Sequence, residues 1–207
     1  CGYIFFYKKS KNSLSDWSFD SNLALSLIKK SWPLMLAFLF TTLALKIDQV
    51  IIGQMLGAEA VGIYAASLRL VEIFYFIPVA LTTTFFPKLA SAQNSEDYVR
   101  YAQGLSSLLT YISLAIITTI LFSKDILVKK LLGNEFAQSA DIITYHLLAL
   151  PFIFSFSLRK KMLLVEDKVL YTLIYSAFTA LLMIVCISVF VGAFGLIGAS
   201  FGYFLAW

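Results

Sequence analysis

The sequence predicts an all-α, polytopic transmembrane helical bundle, and three observations carry that class. Apolar residues make up 60% of the 207 residues and charged residues only 14%, with a mean hydropathy of +0.85. A soluble domain is about half apolar and roughly a quarter charged. Residues 101–123 and 169–207 contain no Asp, Glu, Lys or Arg, and each exceeds the ~20 residues needed to cross a bilayer. The basic residues gather in short clusters that abut apolar segments, which is how membrane topology is encoded.

Five spans and the start of a sixth follow in order. The run 1–7 is apolar but too short to span, and it ends in Lys8 and Lys9. Trp17 and Phe19 in the polar connection after it suit the membrane interface. Asp20 or Ser21 caps a helix that leads into the first span, 32–56, with Pro33 near its entry. A sharp turn near Gly57 starts the second span, 59–88. Pro78 there removes a backbone bond and clashes with the carbonyl four residues earlier, so a kink is expected over 74–78. Asn94 or Ser95 caps the third helix, with Glu96 and Asp97 in the first turn, where the helix dipole favours acids.

The third span covers 101–123. A connection with a short amphipathic piece follows over 124–135, closed by the turn pair Gly133 and Asn134. The fourth span is 137–158, and Glu166, Asp167 and Lys168 mark a short turn. The fifth is 169–191, and Gly192 and Gly195 break it from a truncated sixth beginning at 196. With an incomplete apolar run at each end, the chain reads as an internal fragment of a longer protein. It forms a single transmembrane unit over 1–207.

Counting basic residues in the connections fixes the expected orientation. Lys8, Lys9, Lys11, Lys29, Lys30, Lys88, Arg100, Arg159, Lys160, Lys161 and Lys168 share one side, against Lys124, Lys129 and Lys130 on the other. The positive-inside rule places the first group in the cytoplasm. The net charge of +4 is thus spent on topology. No basic stripe interleaved with aromatics points to nucleic acid. Cys1 and Cys186 suggest neither a disulfide nor a redox pair. No metal-ligand spacing, phosphate loop, catalytic triad or cofactor motif appears, so an enzyme is not expected.

The residues that stand out are Lys46, Asp48, Arg69 and Glu72, all within membrane-grade sequence. Two helices folding back at Gly57 put residues whose numbers sum to about 117 at equal depth, because both rise ~1.5 Å per residue. Asp48 then meets Arg69, and Lys46 meets Glu72, on the order of 13–18 Å from the turn. That is close to the middle of a ~30 Å hydrocarbon layer. Charge there costs at least ~2.5–3.5 kcal/mol per residue, so it is paired, faces a wet cavity, or both. Arg69 and Glu72 share a helix face. Lys46 and Asp48 sit two residues apart and point about 160° away from each other on a regular helix, so only one of them is expected to face the second helix. Gln49 joins this candidate cavity set.

His146, the only histidine, is either a proton relay or a buried neutral group bonded to a neighbouring helix, and the second reading is preferred because no acid lies within one turn. Gly53 with Gly57, and Gly198 with Gly202, are small-xxx-small pairs that permit close helix approach.

Several strings carry a resemblance. They are Ser-Trp-Pro-Leu at 31–34, Lys-Ile-Asp-Gln at 46–49, Ile-Gly-Gln-Met-Leu-Gly at 52–57 and Glu-Ala-Val-Gly-Ile-Tyr at 59–64. Arg69-Leu70, Phe76-Ile77-Pro78 and Phe86-Pro87 continue the pattern, and Leu-Leu-Gly-Asn-Glu-Phe at 131–136 adds a weaker match. Together these resemble the start of the second half of polysaccharide biosynthesis proteins of the O-antigen flippase type. The resemblance implies one lobe of a two-lobed exporter in the bacterial cytoplasmic membrane. The superfamily also holds multidrug extruders and lipid II flippases. The implied substrate is an oligosaccharide on a polyprenyl diphosphate, moved by alternating access; Lys46 and Arg69 would neutralise its diphosphate, and Asp48 and Glu72 either keep those cations satisfied when the cavity is empty or couple to H⁺ or Na⁺. Family members often carry Arg where Lys46 stands, and Lys keeps the charge without the bidentate fork. The rival readings are a cation-coupled drug extruder, a membrane polymerase or ligase acting on the same glycolipids, and a purely structural membrane subunit.

Overall fold

The computed structural model describes residues 19–93 and 95–207. Lys8, Lys9, Lys11, Trp17, the 1–7 run and the Asn94 cap lie outside the described residues. Contacts divide the chain into two units, Cys1–Trp32 and Pro33–Trp207. In the first, Asp20 starts the helix as expected. Its Oδ1 accepts the backbone N–H of Asn22 at 2.8 Å and of Leu23 at 3.1 Å. This helix, α1, covers Ser21–Ala44.

The rest is helical throughout: α2 Ile47–Leu56, α3 Ala58–Glu72, α4 Phe76–Ser91, α5 Glu96–Leu131, α6 Ser139–Leu148, α7 Leu150–Val165 and α8 Val169–Ala206, with 3₁₀ turns at Ile73–Tyr75 and Asn134–Phe136. Five stretches are long and apolar enough to cross a membrane: Ser21–Leu56, Ala58–Ser91, Glu96–Leu131, Ser139–Val165 and Val169–Ala206. The protein is a multi-pass membrane protein. Large apolar side chains such as Phe38, Phe76, Phe178 and Phe194 stay exposed, as they do where the solvent is lipid and only the backbone must be satisfied internally.

Three spans are interrupted. The first, expected as one helix over 32–56, breaks at Leu45 and Lys46, where Lys46 takes φ −134° and ψ −15°. No Pro or Gly stands there. The Thr41 and Thr42 hydroxyls bond back to the Ala37 and Phe38 carbonyls, a pattern that bends helices, and the Lys46 N–H reaches only to the Leu43 carbonyl. The second tightens to the 3₁₀ turn Ile73–Tyr75 just before Pro78, where the proline predicted a kink. The fourth, also expected as continuous, divides at Ala149, two residues before Pro151.

Other boundaries differ from expectation. The third helix runs unbroken for 36 residues to Leu131, about 54 Å, so the separate amphipathic piece over 124–135 does not exist. Ser95 occupies the N-cap position with extended backbone, but its hydroxyl donates to the Ala92 carbonyl instead of capping the helix. Gly57, at φ 89°, is the turn itself and contributes no packing surface, while Gly53 lies against Val61.

Gly195 reverses the chain within α8, with φ 60° and ψ −138°, a backbone that strains any side chain. The limbs 169–194 and 196–206 then lie together as a closed hairpin. A Cβ on Gly198 would land on the Phe190 carbonyl, and one on Gly202 would come within 2.9 Å of the Cys186 carbonyl oxygen. The second small-residue pair therefore packs within its own hairpin.

Two apolar clusters hold 33–207 together. One joins Ile52, Tyr64, Leu68, Ile142, Met183, Ile187 and Tyr203. The other joins Val71, Leu89, Leu105, Leu109, Leu147, Leu150 and Phe154. At one end of the bundle the Lys88 ammonium lies over Tyr101 and that of Lys161 over Phe86, while Tyr98 donates to Glu166 at 3.0 Å. Hydrogen bonding from Lys168, at 2.9 Å, holds the Glu166 carboxyl below its usual range. At the opposite end Ser139 donates to the Ile63 carbonyl and Lys124 lies 4.0 Å from Asp141.

The closed hairpin gives a direct test. Gly198→Ala is expected to lower the thermal midpoint of the detergent-purified protein by several degrees, from overpacking of about 1–3 kcal/mol. Gly104→Ala, with nothing within 4 Å of the new methyl, should leave the midpoint unchanged or raise it. Equal midpoints for the two variants would mean that the limbs are not this close.

Candidate functional site

The first site element is the junction of two broken helices. Lys46, at the break between α1 and α2, reaches Glu72, the last residue of α3, with Nζ to Oε1 at 3.1 Å. Arg69, one turn earlier on α3, approaches the other carboxylate oxygen of Glu72 at 3.4 Å. One carboxylate thus serves two cations. The side chains of Lys46 and Arg69 are 46% and 71% exposed, whereas that of Glu72 is 19% exposed.

Asp48 behaves differently. Its residue is fully buried. It accepts the Tyr64 hydroxyl at 3.0 Å on Oδ2 and the Gln49 backbone N–H at 2.7 Å on Oδ1. The expected Asp48–Arg69 pair does not form. Asp48 lies on the inner face of the hairpin and Arg69 on an exposed one, and the Tyr64 phenol spans the gap to the carboxylate. The expectation that only one of Lys46 and Asp48 faces the second helix also fails, since both bond to α3. The 160° separation assumed one continuous helix, and the break at Leu45 and Lys46 removes that constraint.

Behind Asp48 lies an aromatic and polar core. His146 on α6 is fully buried, with Nδ1 2.7 Å from the Ser67 hydroxyl on α3. Its ring meets the edges of Tyr64 and Tyr203 at centroid distances of 4.8 and 5.1 Å. The Tyr203 hydroxyl, on the second limb of α8, is 2.8 Å from that of Tyr75. Among the described residues the His146 Nε2 is buried without a partner. This places His146 as a helix-to-helix bond. Sequence reasoning missed Tyr64, Ser67, Tyr75 and Tyr203, which read as ordinary interfacial or packing residues. The available signal was that a buried acid needs donors and that Tyr64 is the one phenol on α3.

The arrangement keeps acid inside and presents cation outward. It offers electrostatic binding of an anion, with no activated nucleophile nearby. Among the described residues no group of three His, Cys, Asp or Glu is placed to hold a metal. A cavity of about 580 Å³ lies elsewhere, between α5, α7 and α8, walled by Phe152, Phe156, Tyr175 and Phe178. It does not include these charges.

The buried bond can be tested through stability. Tyr64→Phe should destabilise by about 1–3 kcal/mol, because it strips a buried carboxylate of a donor. Combined with Asp48→Asn it should cost less than the sum of the single changes. Strict additivity in thermal midpoints would show that the bond contributes nothing.

No curated protein and no solved structure matches the chain. A family model described as polysaccharide biosynthesis protein matches residues 2–141. That stretch includes Lys46, Asp48, Tyr64, Arg69 and Glu72 and stops short of His146. By that match over more than half of its length, the chain belongs to the polysaccharide biosynthesis protein family.

Proposed function

We propose that the chain is one lobe of a flippase that moves a polyprenyl-diphosphate-linked oligosaccharide across the bacterial cytoplasmic membrane by alternating access. The observation that carries this reading is the uneven exposure of the four charges. Lys46 and Arg69 are exposed at 46% and 71%, while Glu72 is mostly covered and Asp48 is buried. A diphosphate in a low-dielectric layer must be neutralised and hydrogen-bonded. Because two cations share the Glu72 carboxylate, either one can turn to phosphate oxygens while the other keeps that acid paired.

A drug extruder for cationic compounds fits this surface poorly, because the exposed groups would repel its cargo. A polymerase or ligase needs a large catalytic loop, and the connections between described spans, at 57, 92–95, 132–138 and 166–168, are short. The coupling ion, H⁺ or Na⁺, is assigned to the acids Asp48 and Glu72. The end that carries Lys88, Lys161 and Lys168 faces the cytoplasm.

Two experiments test the reading. In intact cells, in a background with Cys1 and Cys186 replaced by Ser, a cysteine at Glu59 should react with an impermeant thiol reagent and one at Lys168 should not. The reverse pattern overturns the orientation. Arg69→Ala should abolish export of the surface polysaccharide while the protein inserts at normal levels, and Arg69→Lys should recover part of it. The same change leaves Lys46 paired with Glu72, so a merely structural arginine predicts near-normal export. That outcome would remove Arg69 from the substrate site.

A further inference from the structure

Lys160 belongs by sequence to the cytoplasmic basic cluster, yet its side chain turns into the bundle. Its Nζ donates to the Thr41 hydroxyl on α1 at 3.0 Å, and Thr41 Oγ1 lies 3.2 Å from the Ser176 hydroxyl on α8. Ser176 is fully buried. The ammonium also sits 5.2 Å from the centre of the Phe156 ring. Among the described residues no carboxylate lies within ion-pair distance of it.

An ammonium half-buried among hydroxyls and an aromatic face has donors to spare and, among the described residues, no counter-charge. Removing a charge from water without pairing it is expensive. A snorkelling lysine at a helix end relieves that by extending to the interface, and this one does the opposite. Its neighbours leave it free for a phosphate: Thr41, whose own proton goes to the Ala37 carbonyl, accepts one ammonium proton, and the remaining ammonium protons can bond and neutralise phosphate oxygens.

Its position along the bundle adds meaning. Thr41 precedes Lys46 by five residues, so the Lys160 ammonium lies roughly 7–8 Å nearer the cytoplasmic end than the Lys46–Glu72 pair. Arg69 lies beyond Lys46 toward the Gly57 turn, by the register of the two helices. Lys160, Lys46 and Arg69 therefore form a series of cations running inward from the cytoplasmic side, and among the described residues only the deeper two have an acid to hold them when empty.

We infer that Lys160, positioned by Thr41 with Ser176 behind it, forms a first phosphate station for a lipid-borne phosphate on the cytoplasmic side, ahead of the Lys46–Arg69 site. The inference rests on the flippase reading above. The shared chemistry is a phosphate carried on a lipid, from either a polyprenyl diphosphate or an anionic phospholipid, and the station is assigned to the polyprenyl diphosphate.

The full-length protein in phosphatidylcholine nanodiscs is titrated with farnesyl diphosphate. Lys160→Met should weaken binding about tenfold, the loss of one charge-assisted bond, and Lys160→Arg should retain most of it. Because Lys160→Met can also fail to fold, a second measurement uses the unaltered protein. Farnesyl diphosphate should protect Lys160 from acetylation by an amine-reactive ester, read by mass spectrometry, and farnesol should not. Unchanged acetylation, or parental binding by a folded Lys160→Met protein, overturns the station. If Arg69→Ala still loses binding in that case, the deeper site stands without it. Absence of any farnesyl diphosphate binding by the parent protein removes both. Equal protection by phosphatidylglycerol assigns the station to phospholipid headgroups and overturns its role in substrate entry.

Discussion

The Glu72 carboxylate is the point on which the first two spans depend. Both helices lose their regular backbone near it, one at Leu45 and Lys46 and the other at Ile73–Tyr75. A broken helix in hydrocarbon leaves N–H and C=O groups without partners, which is tolerated only against protein or in a wet cavity. The ion pair from Lys46 to Glu72 fastens one break to the other across 3.1 Å. It holds the two irregular stretches together at the level where each is weakest. Arg69 shares the same carboxylate from an exposed position, so anything that competes for that carboxylate bears on both breaks.

Asp48 and His146 do a different job a few ångströms inward. Ser67 ties α6 to α3 through His146, and Tyr64 ties α3 to α2 through Asp48. Tyr75 ties the second break to the last limb through Tyr203. These bonds join one helix to another in a region where lipid-facing surfaces supply no hydrophobic driving force for helix association. The polar core therefore substitutes for the apolar collapse that would organise a soluble bundle. Its aromatic rings meet edge to face and exclude water, which keeps the dielectric low and the hydrogen bonds strong.

Much of this was legible in the sequence, and the limits have physical causes. Hydropathy and basic clusters place the spans because the bilayer imposes length and composition on each helix separately. The depth of Lys46 and Glu72 followed from the rise of a helix on either side of Gly57, and the two do meet. The Pro78 kink and the reversal among Gly192–Gly195 followed from backbone chemistry. The break at Lys46 did not, because no Pro or Gly announces it. It comes from hydroxyl back-bonding at Thr41 and Thr42 together with the pull of Glu72. That single unread break explains why Lys46 and Asp48 both bond α3, since the angular argument assumed 100° per residue, while the Asp48–Arg69 pair was misread because equal depth does not imply a shared face. Pro151 offered a usable signal for the division at Ala149. Lys160 was read only as a topology marker, because composition does not say which way a lysine at a helix end will point.

The three interruptions share more than chance would require. His146, three residues before the break at Ala149, bonds Ser67, which lies five residues before Glu72, and Lys46 reaches Glu72 itself. All three breaks therefore fall within about two helical turns of one another along the bundle. A rigid strut between membrane faces has no use for three weak points at one level, since each forfeits backbone hydrogen bonds where they are strongest. If the chain works as the flippase proposed above, a phosphate that draws Lys46 or Arg69 off Glu72 acts on the carboxylate that fastens two of these breaks, which is the kind of linkage alternating access requires.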